Sequence, residues 1–193
     1  MGASGGRATM IGVVLAGGAG RRIGGAKPGR LLAGRPLVSY PAAALAAVCD
    51  RVAIVAKAST ELPRLPGVET WDDEPAEPQH PLSGIVHALG RAAGAPIVVC
   101  AADMPFVTAE ALRSLLEPGE TAVAVAGGVL QPALARYDAT ALTSLSGAAP
   151  GIPLTRAVEA LEPVLVELPE SSVRNVNTPE ELAEAEAELS GAP

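Results

Sequence analysis

Aromatic residues make up only 2% of this 193-residue chain, which has one Trp, one Phe and two Tyr. Its core must therefore be built from aliphatic side chains, and 49% of the residues are apolar. A chain of this length can bury enough surface to be stable without disulfides or metals. Small apolar side chains suit helices packed closely on a sheet, and we expect one compact domain.

Cysteine and long apolar runs are also scarce. Cys49 and Cys100 have neither the spacing of a metal site nor the density of a secreted disulfide scaffold, which favours a reduced, cytoplasmic protein. No apolar stretch reaches the roughly 20 residues that span a bilayer. Residues 1–9 lack the apolar core of a signal peptide. We therefore expect a flexible leader over residues 1–9 and one domain over residues 10–190.

Basic residues are outnumbered, since 14 Lys and Arg against 21 Asp and Glu give a formal net charge of −7. This balance argues against nucleic acid or an anionic membrane as the main partner, because both require a broad basic surface. Positive charge is concentrated in one cluster, formed by Arg21, Arg22, Lys27, Arg30 and Arg35. Because glycines are interleaved with these cations, the cluster predicts an anion site rather than a solvated basic face.

Short apolar runs alternate with segments of helical spacing along most of the chain. The predicted strands cover residues 10–15, 51–56, 68–71, 96–100, 121–126, 129–137 and 164–167. The predicted helices cover residues 36–48, 82–92, 108–116, 139–145 and 154–162, and a last helix begins at Thr178 with Pro179 in its first turn. Gly127-Gly128 predicts a hairpin or a bulged edge. The alternation predicts an α/β fold, a single Rossmann-like domain whose mostly parallel central sheet carries helices on both faces.

The first predicted strand leads into a glycine-rich loop, LAGGAGRRIGGAK, at residues 15–27. A P-loop would need Gly-Lys-Ser/Thr, whereas Lys27 follows Ala26. The dinucleotide motif GxGxxG needs two residues between its last two glycines, whereas three separate Gly20 from Gly24. A backbone that can approach a ligand closely, followed by Arg and Lys, predicts a site for a triphosphate.

A carboxylate follows the predicted strand at residues 96–100. Asp103, in the segment CAADMPF, lies just past the carboxyl end of that strand, where parallel sheets bind ligands. One such carboxylate together with substrate phosphates suffices to hold Mg²⁺. The alternative is that Asp103 caps the helix that begins near Thr108.

The glycine-rich loop resembles the opening motif LAGGxxxRMGGxDK of the nucleotidyltransferases typified by molybdenum cofactor guanylyltransferase. CAADMPF is similar to the CDxPF/Y segment of that family, and RNVNTPEEL, at residues 174–182, is similar to its closing NVNTPEEL segment. The resemblance extends over residues 11–189. In one departure, Ala26 replaces the family's Asp before the lysine, in a segment one residue shorter.

The middle of the chain resembles the family more loosely. Residues 81–84, PLSG, are similar to its GPLxG turn, and counting back from that turn favours Asp73 over Asp72 as the acid that contacts the nucleotide. A solvated acidic loop is the alternative. His80 stands where the family has glycine, and we assign it no role, since a lone histidine in a loop is usually a surface residue.

The resemblance implies roles for individual residues. Arg22 and Lys27 are implied to contact phosphates in catalysis, and Asp103 to ligate Mg²⁺. The implied substrate-binding residues are Leu15, Ala16, Gly17, Gly18, Gly20, Lys27, Asp73, Asp103, Asn175 and Asn177. For the two asparagines, the alternative is that they only shape the entry to the last helix.

The activity implied by the resemblance is transfer of GMP from GTP to a phosphorylated acceptor, molybdenum-bearing molybdopterin, with Mg²⁺ as cofactor. Gly17 favours GTP, because relatives that use CTP often have Ala there. GTP and the phosphorylated pterin are thus the implied partners, together with other proteins of cofactor biosynthesis or molybdoenzyme maturation. Two alternatives remain open: transfer that uses CTP or another acceptor such as a sugar phosphate, and nucleotide binding without turnover.

Overall fold

The structure, a computed structural model, describes residues 9–17, 27–75, 80–149 and 151–191. The strands are β1 (Ile11–Leu15), β2 (Leu31–Leu32), β3 (Arg35–Pro36), β4 (Arg51–Lys57), β5 (Glu69–Glu74), β6 (Ile97–Ala101), β7 (Ala122–Ala126), β8 (Val129–Tyr137) and β9 (Val164–Glu167). The α-helices are α1 (Ser39–Ala46), α2 (Pro81–Arg91), α3 (Ala109–Leu116), α4 (Ala141–Ser146), α5 (Leu154–Glu159) and α6 (Pro179–Leu189). The predicted leader lies outside the described residues, except for Thr9.

Seven of these strands form one sheet in the order β5-β4-β1-β6-β8-β7-β9. β5, β4, β1 and β6 pair in parallel, and β7 and β9 also pair in parallel. β8 is antiparallel to both β6 and β7. β2 and β3 pair separately as a short antiparallel ribbon. The predicted α/β fold with a mostly parallel central sheet is confirmed.

Helices cover both faces of the sheet. Successive side chains of a strand point to opposite faces, so neighbouring residues of one strand contact different helices. In β1, Val14 belongs to an apolar cluster that includes residues of α1 and α3, whereas Val13 belongs to one that includes residues of α2, α4 and α5. A smaller cluster joins Leu32 of the β2–β3 ribbon to Ala185 of α6. Within the described ranges, none of the helices combines the length and the apolar character needed to span a bilayer.

The strand order reverses at β1, which lies between β4 and β6. The chain leaves β1 for β4 and β5 on one side, and β6 returns on the other. Hydrogen bonds extend this arrangement past the strand ends: Ala16 N donates to Val55 O over 2.8 Å, and Ala102 N donates to Leu15 O over 3.1 Å. Open α/β sheets bind ligands at such a reversal. The residues that follow β1 and β6 therefore lie where a ligand is expected.

Two helices are shorter than predicted by three residues or more. The helix predicted over residues 36–48 begins only at Ser39, because the residues before it form the β2–β3 ribbon and a turn. The helix predicted over residues 154–162 ends at Glu159. Glu162 has a φ of 50°, which lies in the left-handed region and is incompatible with a continuing right-handed helix. Apolar spacing alone did not reveal either boundary.

The hairpin predicted at Gly127-Gly128 is confirmed. It joins β7 to β8, and its two glycines have φ values of 54° and 75°, as a two-residue turn of this type requires. β7 and β8 also change register between Val123 and Ala124, so the pair is bulged as well. A short 3₁₀ helix at Glu170–Val173 has no counterpart in the sequence predictions.

Candidate active site

A cavity of about 190 Å³ opens beyond the carboxyl ends of β1 and β6. It is bounded by the residues after β1 and β6, the end of β5 and the first turn of α2. Its lining residues are Leu15, Ala16, Gly17, Pro28, Glu74, His80, Pro81, Gly84, Ala101, Ala102, Asp103 and Ala133. The cavity thus combines the start of the glycine-rich loop, the predicted metal ligand and the turn that resembles GPLxG.

Asp103 lines this cavity and does not cap α3. The N-cap of α3 is Thr108, whose Oγ1 accepts a hydrogen bond from Ala111 N over 3.2 Å. The capping alternative for Asp103 is therefore wrong, and the predicted start of this helix at Thr108 is confirmed. Asp103 lies just past the carboxyl end of β6 and lines the same cavity as the first residues of the glycine-rich loop.

The donor set around Asp103 fits Mg²⁺ better than a metal that requires a complete protein cage. Among the described residues there is no group of three or more His, Cys, Asp and Glu side chains that could hold a metal. Mg²⁺ needs no such group, since it commonly keeps several waters and binds one or two carboxylates together with substrate phosphates. Asp103 provides one such carboxylate.

The closing segment contacts the loop that carries Asp103. Val176 N donates a hydrogen bond to Asp103 O over 2.8 Å, and the Val176 side chain is buried. Asn175 and Asn177 therefore flank a residue that is bonded directly to the Asp103 backbone. Neither asparagine is among the described residues that line the cavity. The structure brings both asparagines near the segment that carries Asp103 but does not place either of them in the cavity lining.

The helix that follows this segment is held by a capping box. Thr178 Oγ1 accepts from Glu181 N over 3.1 Å, and Glu181 Oε2 accepts from Thr178 N over 3.0 Å. The same carboxylate oxygen accepts from Asn177 N over 2.5 Å. The predicted cap at Thr178, with Pro179 at the first turn, is confirmed. These bonds fix the backbone of Asn177 whatever its side chain does.

Arg174 ties the closing segment to two other elements. Its guanidinium lies 4.0 Å from the centroid of the Phe106 ring, three residues after Asp103. It also pairs with Glu188 of α6, with 2.5 Å between Nη2 and Oε2. A planar guanidinium can stack on an aromatic face and bind a carboxylate at the same time. Arg174 therefore has a structural role, which the sequence reading did not assign.

The other predicted site residues divide into two groups. Leu15, Ala16 and Gly17 line the cavity, and their contact with a substrate stays a prediction. The remaining members of the glycine-rich loop, Gly18, Gly20 and Arg22, lie outside the described residues, and so do the side chains of Lys27 and Asp73.

The sequence did not indicate a role for two charged residues, Glu74, which lines the cavity, and Lys57, which pairs with it. Glu74 lines the cavity with its side chain 3% exposed, and its Oε1 lies 3.2 Å from Nζ of Lys57, whose side chain is 8% exposed. Lys57 Nζ also donates to Pro75 O over 2.5 Å. The strand was predicted to end at residue 71, and the sequence assigned no role to Glu74. The one available signal was that Lys57 is one of only two lysines in the chain.

His80 also has a role that the sequence reading did not give it. It is the N-cap of α2, and its Nδ1 accepts a hydrogen bond from Leu82 N over 3.2 Å. It lines the cavity together with Pro81 and Gly84.

Cys100, at the end of β6, is close to Asp103 but is not a reactive thiol. Burial raises the pKa of Cys100 well above its usual range, and the negative charge of Asp103 raises it further. A thiol with a raised pKa stays protonated at neutral pH and is a poor nucleophile and metal ligand. The reactive groups at the carboxyl end of β6 are therefore expected to be oxygen and nitrogen atoms rather than the Cys100 sulfur.

A ligand cavity at the strand reversal of a mostly parallel sheet, with a glycine-rich approach and a carboxylate suited to Mg²⁺, is the arrangement expected of a nucleotide-binding enzyme such as a nucleotidyltransferase. Residues 12–166 match the family of MobA-like NTP transferase domains, and the chain belongs to this family.

Relatives and solved structures agree with this assignment. Molybdenum cofactor guanylyltransferase from Cereibacter sphaeroides is 36% identical over 93% of this chain and 97% of its own. The crystal structure of molybdopterin-guanine dinucleotide biosynthesis protein A from Archaeoglobus fulgidus is similar with a TM-score of 0.71 and 25% identity, covering 94% of this chain and all of that one. The crystal structure of 2-C-methyl-D-erythritol 4-phosphate cytidylyltransferase from Thermus thermophilus has a TM-score of 0.67 at 17% identity, over 92% of this chain and 98% of that one, which shows a shared fold alone.

Proposed function

We propose that this enzyme transfers GMP from GTP to molybdenum-bearing molybdopterin, forming the guanine dinucleotide cofactor and releasing pyrophosphate. The observation that carries the proposal is the cavity in which Leu15, Ala16 and Gly17 meet Asp103. The relatives named molybdenum cofactor guanylyltransferase support GTP and the pterin as its substrates. We place the reaction in one domain formed by residues 10–190.

Mg²⁺ is the cofactor we propose, with Asp103 as its protein ligand. The bound ion would neutralise negative charge on the phosphates of the nucleotide. Lys27 and Arg22 are proposed to contact the same phosphates. The attacking phosphate of the acceptor is already anionic at neutral pH, so no residue is required as a general base. Catalysis then depends on alignment of the two substrates and on neutralisation of charge.

The elements around the cavity are suited to alignment. The backbone after β1 can lie directly against the nucleotide, because Leu15, Ala16 and Gly17 line the cavity. The closing segment supports the metal ligand from behind, through the hydrogen bond between Val176 and Asp103. Asp73, Asn175 and Asn177 are proposed as further substrate contacts.

We also propose a cytoplasmic location, since no disulfide joins Cys49 and Cys100 and structural disulfides are rare in that compartment. The net charge of −7 is consistent with small-molecule substrates rather than nucleic acid. Other proteins of cofactor biosynthesis or molybdoenzyme maturation are the macromolecular partners we expect.

The decisive experiment is a pyrophosphate-release assay. The full chain is incubated with Mg²⁺ and each nucleoside triphosphate, first alone, then with molybdenum-bearing molybdopterin and then with a set of sugar phosphates. We expect release with GTP and the pterin only. Release with a sugar phosphate alone would overturn the acceptor assignment. Tight GTP binding without acceptor-dependent release would identify a nucleotide-binding protein instead.

A further inference from the structure

Lys57 and Glu74 form a buried ion pair whose carboxylate borders the nucleotide cavity. Taken as whole residues, Lys57 and Glu74 are each 6% exposed, and Lys57 Nζ lies 3.2 Å from Glu74 Oε1. Withdrawing two charges from water is costly, and an apolar pair of similar volume often stabilises a protein as well or better. The position of the pair therefore calls for an explanation other than stability.

The carboxylate of Glu74 lies between two glycines on the cavity wall. Its Oε2 is the atom nearest to a side chain that Gly17 would carry, so close that any such side chain would displace it. Its Cδ would lie 3.8 Å from the Cβ of a residue other than glycine at position 84. Both glycines line the cavity. The carboxylate therefore packs against the Gly17 backbone at the cavity wall, where a ligand bound beside Leu15–Gly17 would reach it.

The order of the strands indicates which part of the nucleotide reaches Glu74. Asp103 follows β6, whereas Glu74 ends β5, and β1 and β4 lie between them. Neighbouring strands lie about 4.8 Å apart, so the ends of β6 and β5 are separated by roughly 14 Å. If the phosphates lie at Asp103, a nucleotide that extends over Leu15–Gly17 directs its base toward β4 and β5. The Glu74 side chain, which packs against Gly17, lies where that base would bind.

We propose that Glu74 determines the base specificity of this enzyme by accepting hydrogen bonds from N1–H and the 2-amino group of guanine. Adenine has an acceptor at N1 and no 2-amino group, and cytosine likewise has no matching donor pair on that edge. Lys57 holds the carboxylate in position and offsets its buried negative charge. The inference rests on the proposed use of GTP.

The test compares nucleotides whose bases differ by a single hydrogen-bond donor. Binding of GTP, inosine triphosphate, which lacks the 2-amino group, and 1-methyl-GTP, which lacks N1–H, is measured by calorimetry with the full chain and Mg²⁺. Because hydrogen bonds to a charged group are stronger than average, we expect each analogue to bind about tenfold or more weakly than GTP. These measurements use the unaltered protein and do not depend on the folding of any variant.

Glu74→Gln should then reduce the preference for GTP over inosine triphosphate by about tenfold, because an amide group cannot accept both hydrogen bonds. Glu69→Gln is the matched control: it makes the same change on the same strand, at an exposed residue paired with Arg51, and should leave the preference unchanged. Thermal unfolding of both variants confirms that each is folded.

Two results would overturn the inference. One is equal binding of GTP and both analogues by the unaltered protein. The other is a loss of affinity in Glu74→Gln by the same factor for every nucleotide, which would mean that the pair only supports the glycine-rich loop. Failure of the proposed function is distinguishable, because it would appear as base-selective GTP binding without pyrophosphate release in the presence of the pterin.

Discussion

The backbone N–H of Val176 donates a hydrogen bond to the backbone carbonyl of Asp103 over 2.8 Å. Two motifs that are far apart in the sequence are joined by this bond, and Arg174 reinforces it by stacking on Phe106. The closing motif of the family thus supports the loop that carries the proposed metal ligand. The backbone of the closing motif thus contributes to the site, whatever the asparagine side chains contact.

Asp103→Asn should reduce pyrophosphate release at least about 100-fold, since losing even an outer-shell partner of a metal site typically costs 10–100-fold. The amide retains the shape of the carboxylate, so the thermal unfolding temperature should stay close to that of the unaltered protein. Glu110→Gln, an exposed change on α3, is the control. Full activity of Asp103→Asn would place the metal ligand elsewhere.

Thr178→Ala should lower the free energy of unfolding by about 1 kcal/mol, because it removes the side-chain half of the capping box at α6. Thr178→Ser keeps the hydroxyl and should restore most of the loss. Urea denaturation of the three proteins measures the difference. If the Ala variant were as stable as the Ser variant, the cap would contribute nothing in solution.

Features governed by local chemistry could be predicted from the sequence. Gly127-Gly128 specified a two-residue hairpin because only residues that tolerate left-handed backbone fit that turn. Thr178 specified a helix start through its own side-chain oxygen. The β-branched runs identified most strands of the sheet, and the glycine-rich loop and Asp103 both follow strands that meet at the reversal.

Features that depend on distant pairing could not be predicted. The contact between Lys57 and Glu74 arises from the register of β4 with β5, which shifts between Val55 and Lys57. The bond between Val176 and Asp103 likewise requires the whole fold. The β2–β3 ribbon has only two residues in each strand, too few for any alternation to be detected.

Lys57→Met should destabilise the protein by about 3 kcal/mol, since removing one partner leaves the other charge buried and unpaired. The double variant Lys57→Met/Glu74→Met should regain most of that loss, because two apolar side chains can replace a buried ion pair. Urea denaturation again provides the measurement. A single variant as stable as the unaltered protein would show that water reaches Glu74 freely.

Gly17→Ala should weaken GTP binding and reduce the preference for GTP over inosine triphosphate, because its Cβ would displace the Glu74 carboxylate. Gly90→Ala is a suitable control, since its Cβ would have no neighbour within 4 Å and Gly90 lies in α2. If both residues act on the base, combining Gly17→Ala with Glu74→Gln should cost less than the sum of the single effects. Additive losses would mean that Gly17 acts independently of Glu74.

Burial of Cys100 makes the stability of the protein sensitive to alkaline pH. Because the pKa of Cys100 is raised in the folded state above its usual value of 9.0, only the unfolded chain ionises as the pH first passes that value. The stabilisation is therefore fully present below about pH 9 and is lost progressively above it. Tyr137, whose pKa is also raised by burial, adds a similar loss above its usual value of 10.0.

Cys100→Ala removes the first of these contributions. Its free energy of unfolding should decline less than that of the unaltered protein between pH 8 and pH 10.5, although it starts lower because a buried side chain has been shortened. Urea denaturation at a series of pH values separates the pH dependence of the free energy of unfolding from the constant difference in stability between the two proteins. Parallel curves for the two proteins would mean that the Cys100 thiol ionises as readily in the folded protein as in the unfolded chain.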